Sequence, residues 1–311
     1  MTHRADSRNL ARVNVTFGQG GNSPVTETRM DYPRYVFGGV WSFLAEPVAR
    51  GPRTDWVSTG GDIGWQQQVT VQDVLSEVSE RAVYPSADTR EERWLTPITR
   101  PRMISEDLPV RRDGSVLYFR TRAWGDGGTS HAGEGYGRGL SQRASLHQGD
   151  TVLSESDYDS GYATGLAPER LPYRLVVDAT NDDSALGPYS TTTHTEWSFV
   201  SGESQEKTIA LVQLDYDVDL DADGRARRNA AVAITPVVLG APETEVTSVR
   251  IEVSYDDGST WHRQKAVHRD GTWKAFPAAP ASASFVSLRT TATDETGGSV
   301  TQTVIRAYGL R

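Results

Sequence analysis

Gly128-Thr129-Ser130-His131-Ala132 sets a hydroxyl beside an imidazole, the two groups that acyl transfer uses as attacking atom and base. A carboxylate to orient the imidazole would come from Asp126 or Asp150, with His147 as a second candidate base. The surrounding sequence opposes this chemistry. A nucleophile in such a setting opens a buried helix, whereas Gly133-Glu134-Gly135-Tyr136-Gly137 follows here and would unravel one. No His-Gly segment and no Asp after an apolar strand lies upstream to complete a triad, so no catalytic residue is assigned. Trp124 to Arg143 reads instead as a long exposed glycine-rich loop between two strands.

Two acidic strings carry other chemistry. Asp219-Leu220-Asp221-Ala222-Asp223-Gly224 has the spacing of half a calcium loop, with side-chain oxygens at alternate positions and a glycine for the sharp turn. The closing glutamate is missing, since position twelve is Ala230. The favoured reading is an acidic hairpin turn, with Asp219, Asp221 and Asp223 as the candidate ligands if calcium is held, and Asp215 and Asp217 enlarging the negative patch. Ser254-Tyr255-Asp256-Asp257-Gly258-Ser259-Thr260-Trp261 matches the Asp-box pattern known from sialidase propellers. It occurs once, whereas a propeller repeats it at blade length, so Ser254, Asp256, Gly258 and Trp261 read as a structural hairpin.

Trp41, Trp56, Trp65, Trp94, Trp124 and Trp197 could include a platform for stacking sugar rings. Trp65 and Trp197 fall in strand patterns and read as core. Trp124, beside Asp126, is the best exposed candidate for a carbohydrate contact. Glu46, Glu91, Glu92 and Glu134 show no spacing that favours a glycosidase pair, and the six histidines show no metal-ligand spacing.

The elements that must position these groups are strands. The 311 residues are 37% hydrophobic and 23% charged, enough to bury two or three cores. A net charge of -9 with dispersed arginines argues against a nucleic-acid partner. No apolar run approaches the length needed to span a bilayer, and Met1 to Arg12 lacks the apolar segment of a signal peptide. The absence of cysteine removes disulfides and thiol chemistry, and 29 Gly and 15 Pro punctuate a chain of short apolar alternations. Strand-like segments recur at Arg12 to Phe17, Arg34 to Leu44, Thr54 to Val57, Trp65 to Val71, Val116 to Arg122, Thr151 to Glu155, Tyr173 to Ala179 and Thr193 to Val200. Val71 to Val83 carries a partial helical stripe but suits a strand better.

Val249, Ile251, Val253 and Tyr255 alternate with polar residues and lead into the Asp-box turn, as in an immunoglobulin-like sandwich. The fold expected is therefore all-β, as tandem sandwiches. Residues 1–204 would form a larger jelly-roll-like or double sandwich with a weaker break at 97–109. Residues 205–311 would form an immunoglobulin-like or fibronectin-like module.

The order of the segments resembles the C-terminal region of large secreted subtilisin-like serine peptidases of actinobacteria. The likeness is carried by Arg53-Thr54-Asp55-Trp56-Val57-Ser58-Thr59-Gly60 with Trp65, Glu92-Arg93-Trp94 with Pro97, and Trp124-Gly125-Asp126-Gly127. It continues through Tyr173 to Val177, Thr195 to Phe199, Leu214 to Asp217, Val249 to Trp261 and Gln302 to Leu310. The resemblance implies an extracellular, non-catalytic accessory region that stabilises an upstream subtilisin-like catalytic domain or tethers it to a protein or polysaccharide. The serine endopeptidase activity would belong to that domain. The alternative is a free-standing secreted module that binds carbohydrate or a cell surface, which an aromatic row exposed on one sheet face would support.

Overall fold

The computed structural model describes residues 9–18, 23–33, 45–59, 63–105, 110–128, 130–137, 139–182, 186–203 and 208–311. The strand expected at Arg34 to Leu44, with Trp41 inside it, lies outside these residues. The described chain is all-β, with twenty-four strands and no α-helix among them.

Alternation builds the first sandwich. In β1 (Leu10–Phe17) Ala11, Val13, Val15 and Phe17 are buried and their neighbours are not, the period of two of a strand with one wet face. β1 pairs antiparallel with β4 (Gly51–Ser58) and parallel with β7 (Thr89–Trp94). A second sheet runs in the order β10 (His131–Gly135), β6 (Leu75–Ser79), β5 (Ile63–Val71), β2 (Val25–Pro33) and β3 (Glu46–Val48). Val13, Val15, Phe17 and Val57 of one sheet share a core with Val69, Val71 and Leu75 of the other. The partial helical stripe after Val71 is a strand pair: the chain reverses through Asp73, at φ 57, and returns as β6 beside β5.

A longer sheet forms the second body. Its order is β12 (Thr151–Ser156), β11 (Leu140–Gln148), β14 (Leu171–Asn181), β15 (Thr192–Ser201), β24 (Ser299–Leu310), β23 (Phe285–Asp294), β19 (Val246–Ser254) and β20 (His262–Gln264). The short β17 (Arg225–Ala226) lies beside β24. Two smaller sheets complete the body: β16 (Leu211–Val218), β18 (Val232–Leu239), β22 (Thr272–Ala275) and β21 (Ala266–Arg269), and then β13 (Ser160–Ala163), β9 (Val116–Arg120) and β8 (Val110–Asp113). One core cluster joins all three through Trp197, Leu175 and Val304 with Leu214, Ile234, Leu117 and Phe119. Trp197 is buried with its Nε1 donating to the Val212 carbonyl at 2.9 Å, so its polar atom is satisfied where its ring is sequestered.

The break expected near residue 204 does not separate two sheets. β15, before it, pairs with β24, from Thr192 opposite Ile305 to Ser198 opposite Ser299. The change of core falls instead between Trp94, in the first cluster, and Val110, in the second, around the weaker break at 97–109. β10 then carries the chain back into the first sandwich.

Candidate functional site

The string at Ser130 folds into an interior charge cluster. β10 places His131 opposite Ser79, and Trp94 at the end of β7 stacks on the imidazole with ring centroids 3.5 Å apart and planes 13° from parallel. Asp126 Oδ1 meets His131 Nδ1 at 2.8 Å and accepts the Gly128 N–H at 2.7 Å, while Oδ2 accepts the Leu95 N–H at 2.6 Å. Glu77 of β6 shares a hydrogen bond with the same carboxylate. Burial and then the adjacent Asp126 charge push Glu77 well above the usual carboxylate range. Burial also acts to raise Asp126, but the His131 imidazole and its hydrogen bond, with the Gly128 N–H and Glu77, outweigh it and hold Asp126 below its ordinary value.

Asp126 and His131 thus come together as a catalytic pair would, and the rest of the triad does not. His131 is 3% exposed and Asp126 is fully buried, with the Trp94 ring stacked on the imidazole. The other candidates stand apart: His147 Nε2 bonds to Ser145 Oγ at 2.8 Å on β11, and Asp150 is an exposed residue of the following turn. Buried arginines flank the cluster. Arg100 donates to the Asp126 carbonyl through Nη1 and to Asp215 Oδ1 through Nη2 at 3.1 Å, and Arg102 Nε reaches the same Oδ1 at 2.9 Å. This network lies between the two cores and ties β6, β10 and the end of β7 to β16.

The expectation of a long exposed loop at Trp124 to Arg143 is therefore corrected. A Cβ on Gly125 would come within 2.8 Å of the His131 carbonyl oxygen, one on Gly127 within 2.1 Å of the Pro97 oxygen, and one on Gly133 within 2.3 Å of the Trp124 oxygen. The glycines permit close backbone approach in a packed segment and do not mark a mobile one. Trp124, expected as an exposed sugar contact, is 1% exposed, and its Nε1 donates to Gln142 Oε1 at 2.9 Å. Trp94 and Trp197 are also buried, Trp65 is half-buried with its Nε1 on the Ser58 carbonyl, and Trp56 is 59% exposed.

The acidic loop is closed by its own chain. Asp221 Oδ1 accepts the N–H groups of Asp223 and Arg225 at 3.1 and 2.9 Å, and Oδ2 pairs with Arg311 at 3.1 Å. No group of three or more acidic or histidine side chains is arranged to hold a metal among the described residues, so Asp219, Asp221 and Asp223 do not converge on a cation.

The Asp-box residues make the hairpin their spacing requires. Asp256 Oδ1 accepts from Ser254 Oγ at 2.7 Å and from the Thr260 N–H at 2.9 Å, and Oδ2 accepts from Thr260 Oγ1 at 2.6 Å. Gly258 turns at φ 85, where a side chain is strained, and lies against the Trp261 ring. The Thr260 hydroxyl, then the Ser254 hydroxyl, lower Asp256 to about 2. Its contribution is present above its ordinary value of 3.8 and is lost only as pH falls toward 2. Asp256→Ala is expected to loosen this hairpin without unfolding the protein, seen as faster amide exchange confined to residues 254–261.

The exposed aromatic row lies where no tryptophan marks it. β13, β9 and β8 turn Leu117, Phe119 and Ala163 into the core and the alternate side chains outward. On the outer face Tyr162 pairs directly across from Tyr118, and Tyr118 across from Arg111. The tyrosine rings are 6.2 Å apart and tilted 39°, and the Arg111 guanidinium sits 5.1 Å over Tyr118. Tyr118 is 40% and Tyr162 62% exposed. The next rung is Arg120 opposite Ser160, with Arg120 held by Glu134 at 2.7 Å. The signal in the sequence is the phase of Val116 to Arg120: once Leu117 and Phe119 are assigned inward, Tyr118 must face out.

No protein-family model and no curated protein matches this chain. Among solved structures, the FN1–FN3 domains of chicken CNTN1 align at 11% identity over 94% of this chain and 87% of that one, with a TM-score of 0.19. Extracellular domains 3–5 of Drosophila OTK align at 10% identity over 96% and 94%, with a TM-score of 0.19. Trypsin-activated alpha-2-macroglobulin from Escherichia coli aligns at 10% identity over 98% of this chain and 25% of that one, with a TM-score of 0.21. The all-β assignment stands on the strands and their pairing. No helix among the described residues is long and apolar enough to cross a membrane.

Proposed function

We propose that this chain is a non-catalytic binding protein whose outer face on β13, β9 and β8 holds an extended, uncharged glycan. The supporting observation is the cross-strand pair Tyr118–Tyr162, two adjacent rings on a sheet face with Arg111 bracing one of them. Tyrosine offers an apolar ring face with a hydroxyl at its tip, which suits sugar rings that are apolar on one face and polar at the rim. A protein partner fits less well, because the surroundings are Arg111, Arg120 and Ser160 without the apolar centre that a stable protein interface carries. In the setting of the subtilisin-like peptidases that the sequence resembles, the chain is an extracellular accessory region, and the glycan contact raises the effective concentration of an attached protease on its target.

The test is calorimetric titration with the β-1,4-linked glucose trimer. Tyr118→Ala and Tyr162→Ala are each expected to weaken binding by about fivefold, corresponding to about 1 kcal/mol per ring, with the thermal midpoint unchanged. Wild-type binding that survives intact in the double variant would sink the proposal, as would no binding by the wild type.

A further inference from the structure

A cleft of about 440 Å³ is lined by Trp124, Gln142, Arg143, Asp157, Asp178 and Thr180 among others, and Asp157 precedes Tyr162 of the tyrosine pair by five residues. We propose that it is a second glycan subsite, filled by sugar residues further along the chain that lies on Tyr118 and Tyr162, and that its carboxylates select uncharged glycans against acidic ones. This inference rests on the platform reading.

The two features share one segment of chain. Asp157 lines the cleft and Tyr162 belongs to the aromatic pair, with Tyr158, 77% exposed, and the Arg120–Ser160 rung between them. Five residues span at most about 17 Å, a length that an oligosaccharide of a few units covers. Glu134, on β10 of the first sandwich, holds Arg120 and Arg122 at 2.7 and 2.6 Å, and the next residue, Gly135, lines the cleft. No side chain stands at Gly135 to close that side, and a Cβ there would meet Trp124 Nε1 at 2.5 Å.

The lining matches a polyol. Carboxylates accept hydrogen bonds from neighbouring hydroxyls, amide and guanidinium groups supply donors, and Leu140 and Ala179 with the Trp124 edge form an apolar floor. Trp124 Nε1 fixes the Gln142 amide at 2.9 Å. The local charge is negative. Arg143 is offset by Glu155 at 2.6 Å and also feels the Asp157 and Asp178 charges, and Asp178 is paired with His194 Nδ1 at 2.7 Å. A uronic acid carboxylate placed here meets like charge on a protein whose net charge is already -9.

β-1,4-linked glucose trimer and hexamer, with a galacturonate hexamer as the acidic probe, separate the two sites. Wild-type affinity is expected to rise at least tenfold from trimer to hexamer, because the second contact is intramolecular once the first is made. The double variant Asp157→Ala and Asp178→Ala is expected to keep the trimer affinity and lose that gain, with the thermal midpoint unchanged. Asp157→Asn with Asp178→Asn is expected to raise galacturonate affinity roughly threefold to tenfold, as removal of two exposed like charges does. A hexamer gain that persists in the alanine double variant, or trimer binding with no hexamer gain in the wild type, overturns the cleft and leaves the tyrosine pair standing. No binding of any neutral oligomer overturns both.

Discussion

Asp126→Ala is expected to destabilise the protein by about 3 kcal/mol or more, since each buried group left without its partner costs about 1–3 kcal/mol. The carboxylate satisfies His131 Nδ1 and the N–H groups of Gly128 and Leu95, all of which are left without an acceptor in the variant. Buried donors in that state lose their full hydration without compensation. The site cannot relax by admitting water freely, because Trp94 is stacked on His131 at 3.5 Å. Thermal or urea unfolding reads the loss, and a drop of the midpoint on the order of ten degrees follows for a chain of this size. Asp126→Asn retains the shape and some of the hydrogen bonds, so it is expected to fall between wild type and alanine. A variant as stable as wild type would show that this interior network contributes nothing to the junction between the two cores.

The second large effect is a dependence of stability on pH that Glu77→Gln reduces. Glu77 is buried between strands, and no donor reaches its Oε2, so the charged form is unsatisfied there, while the protonated form donates to Asp126. Its folded value lies well above the ordinary 4.5, so the folded protein binds a proton that the unfolded chain has released. Stability from this group is therefore complete below about 4.5 and declines as pH rises toward the folded value, at no more than about 1.4 kcal/mol per pH unit. Asp126 works in the opposite sense. Its folded value is lowered from 3.8, so its contribution is present above that and is lost as pH falls through the folded value. Together they place the most stable condition of this cluster in weak acid. Glutamine donates where protonated Glu77 donates and cannot ionise, so the variant is expected to show a shallower stability profile from pH 5 upward. Urea midpoints measured across that range decide the matter: the same slope in variant and wild type would assign the titration elsewhere.

The strands and the buried cluster were legible in the sequence to different degrees. Strands were readable because each needs only its own alternation. β1 follows its run of apolar residues at every second position, Tyr173, Leu175, Val177 and Ala179 do the same in β14, and their burial repeats it. The hairpin at Ser254 was readable for a related reason, since its donors and acceptors all lie within eight residues of one another. The glycine-rich segment was not. Glycine serves a mobile loop and a close backbone approach alike, and only the packing of Gly127 on the Pro97 oxygen, thirty residues away, and of Gly133 on the Trp124 oxygen shows which is meant. The same ambiguity concealed the aromatic row. Tryptophan draws attention as a sugar platform, yet most of the described tryptophans fill cores, and two tyrosines from strands more than forty residues apart make the exposed pair.

Interactions between near neighbours in the chain settle the all-β character, the position of strands such as β1, β14 and β15, and the local chemistry of the Asp-box turn, and these the sequence carries. The tertiary structure alone decided that residues on either side of 204 share one sheet, that Asp126, His131, Glu77 and Trp94 meet in the interior, and that Tyr118 and Tyr162 stand together at the surface. Each of these is a long-range pairing. Its free energy comes from surface buried and charges matched only when distant strands come into register, and a reading of local pattern contains no term for that.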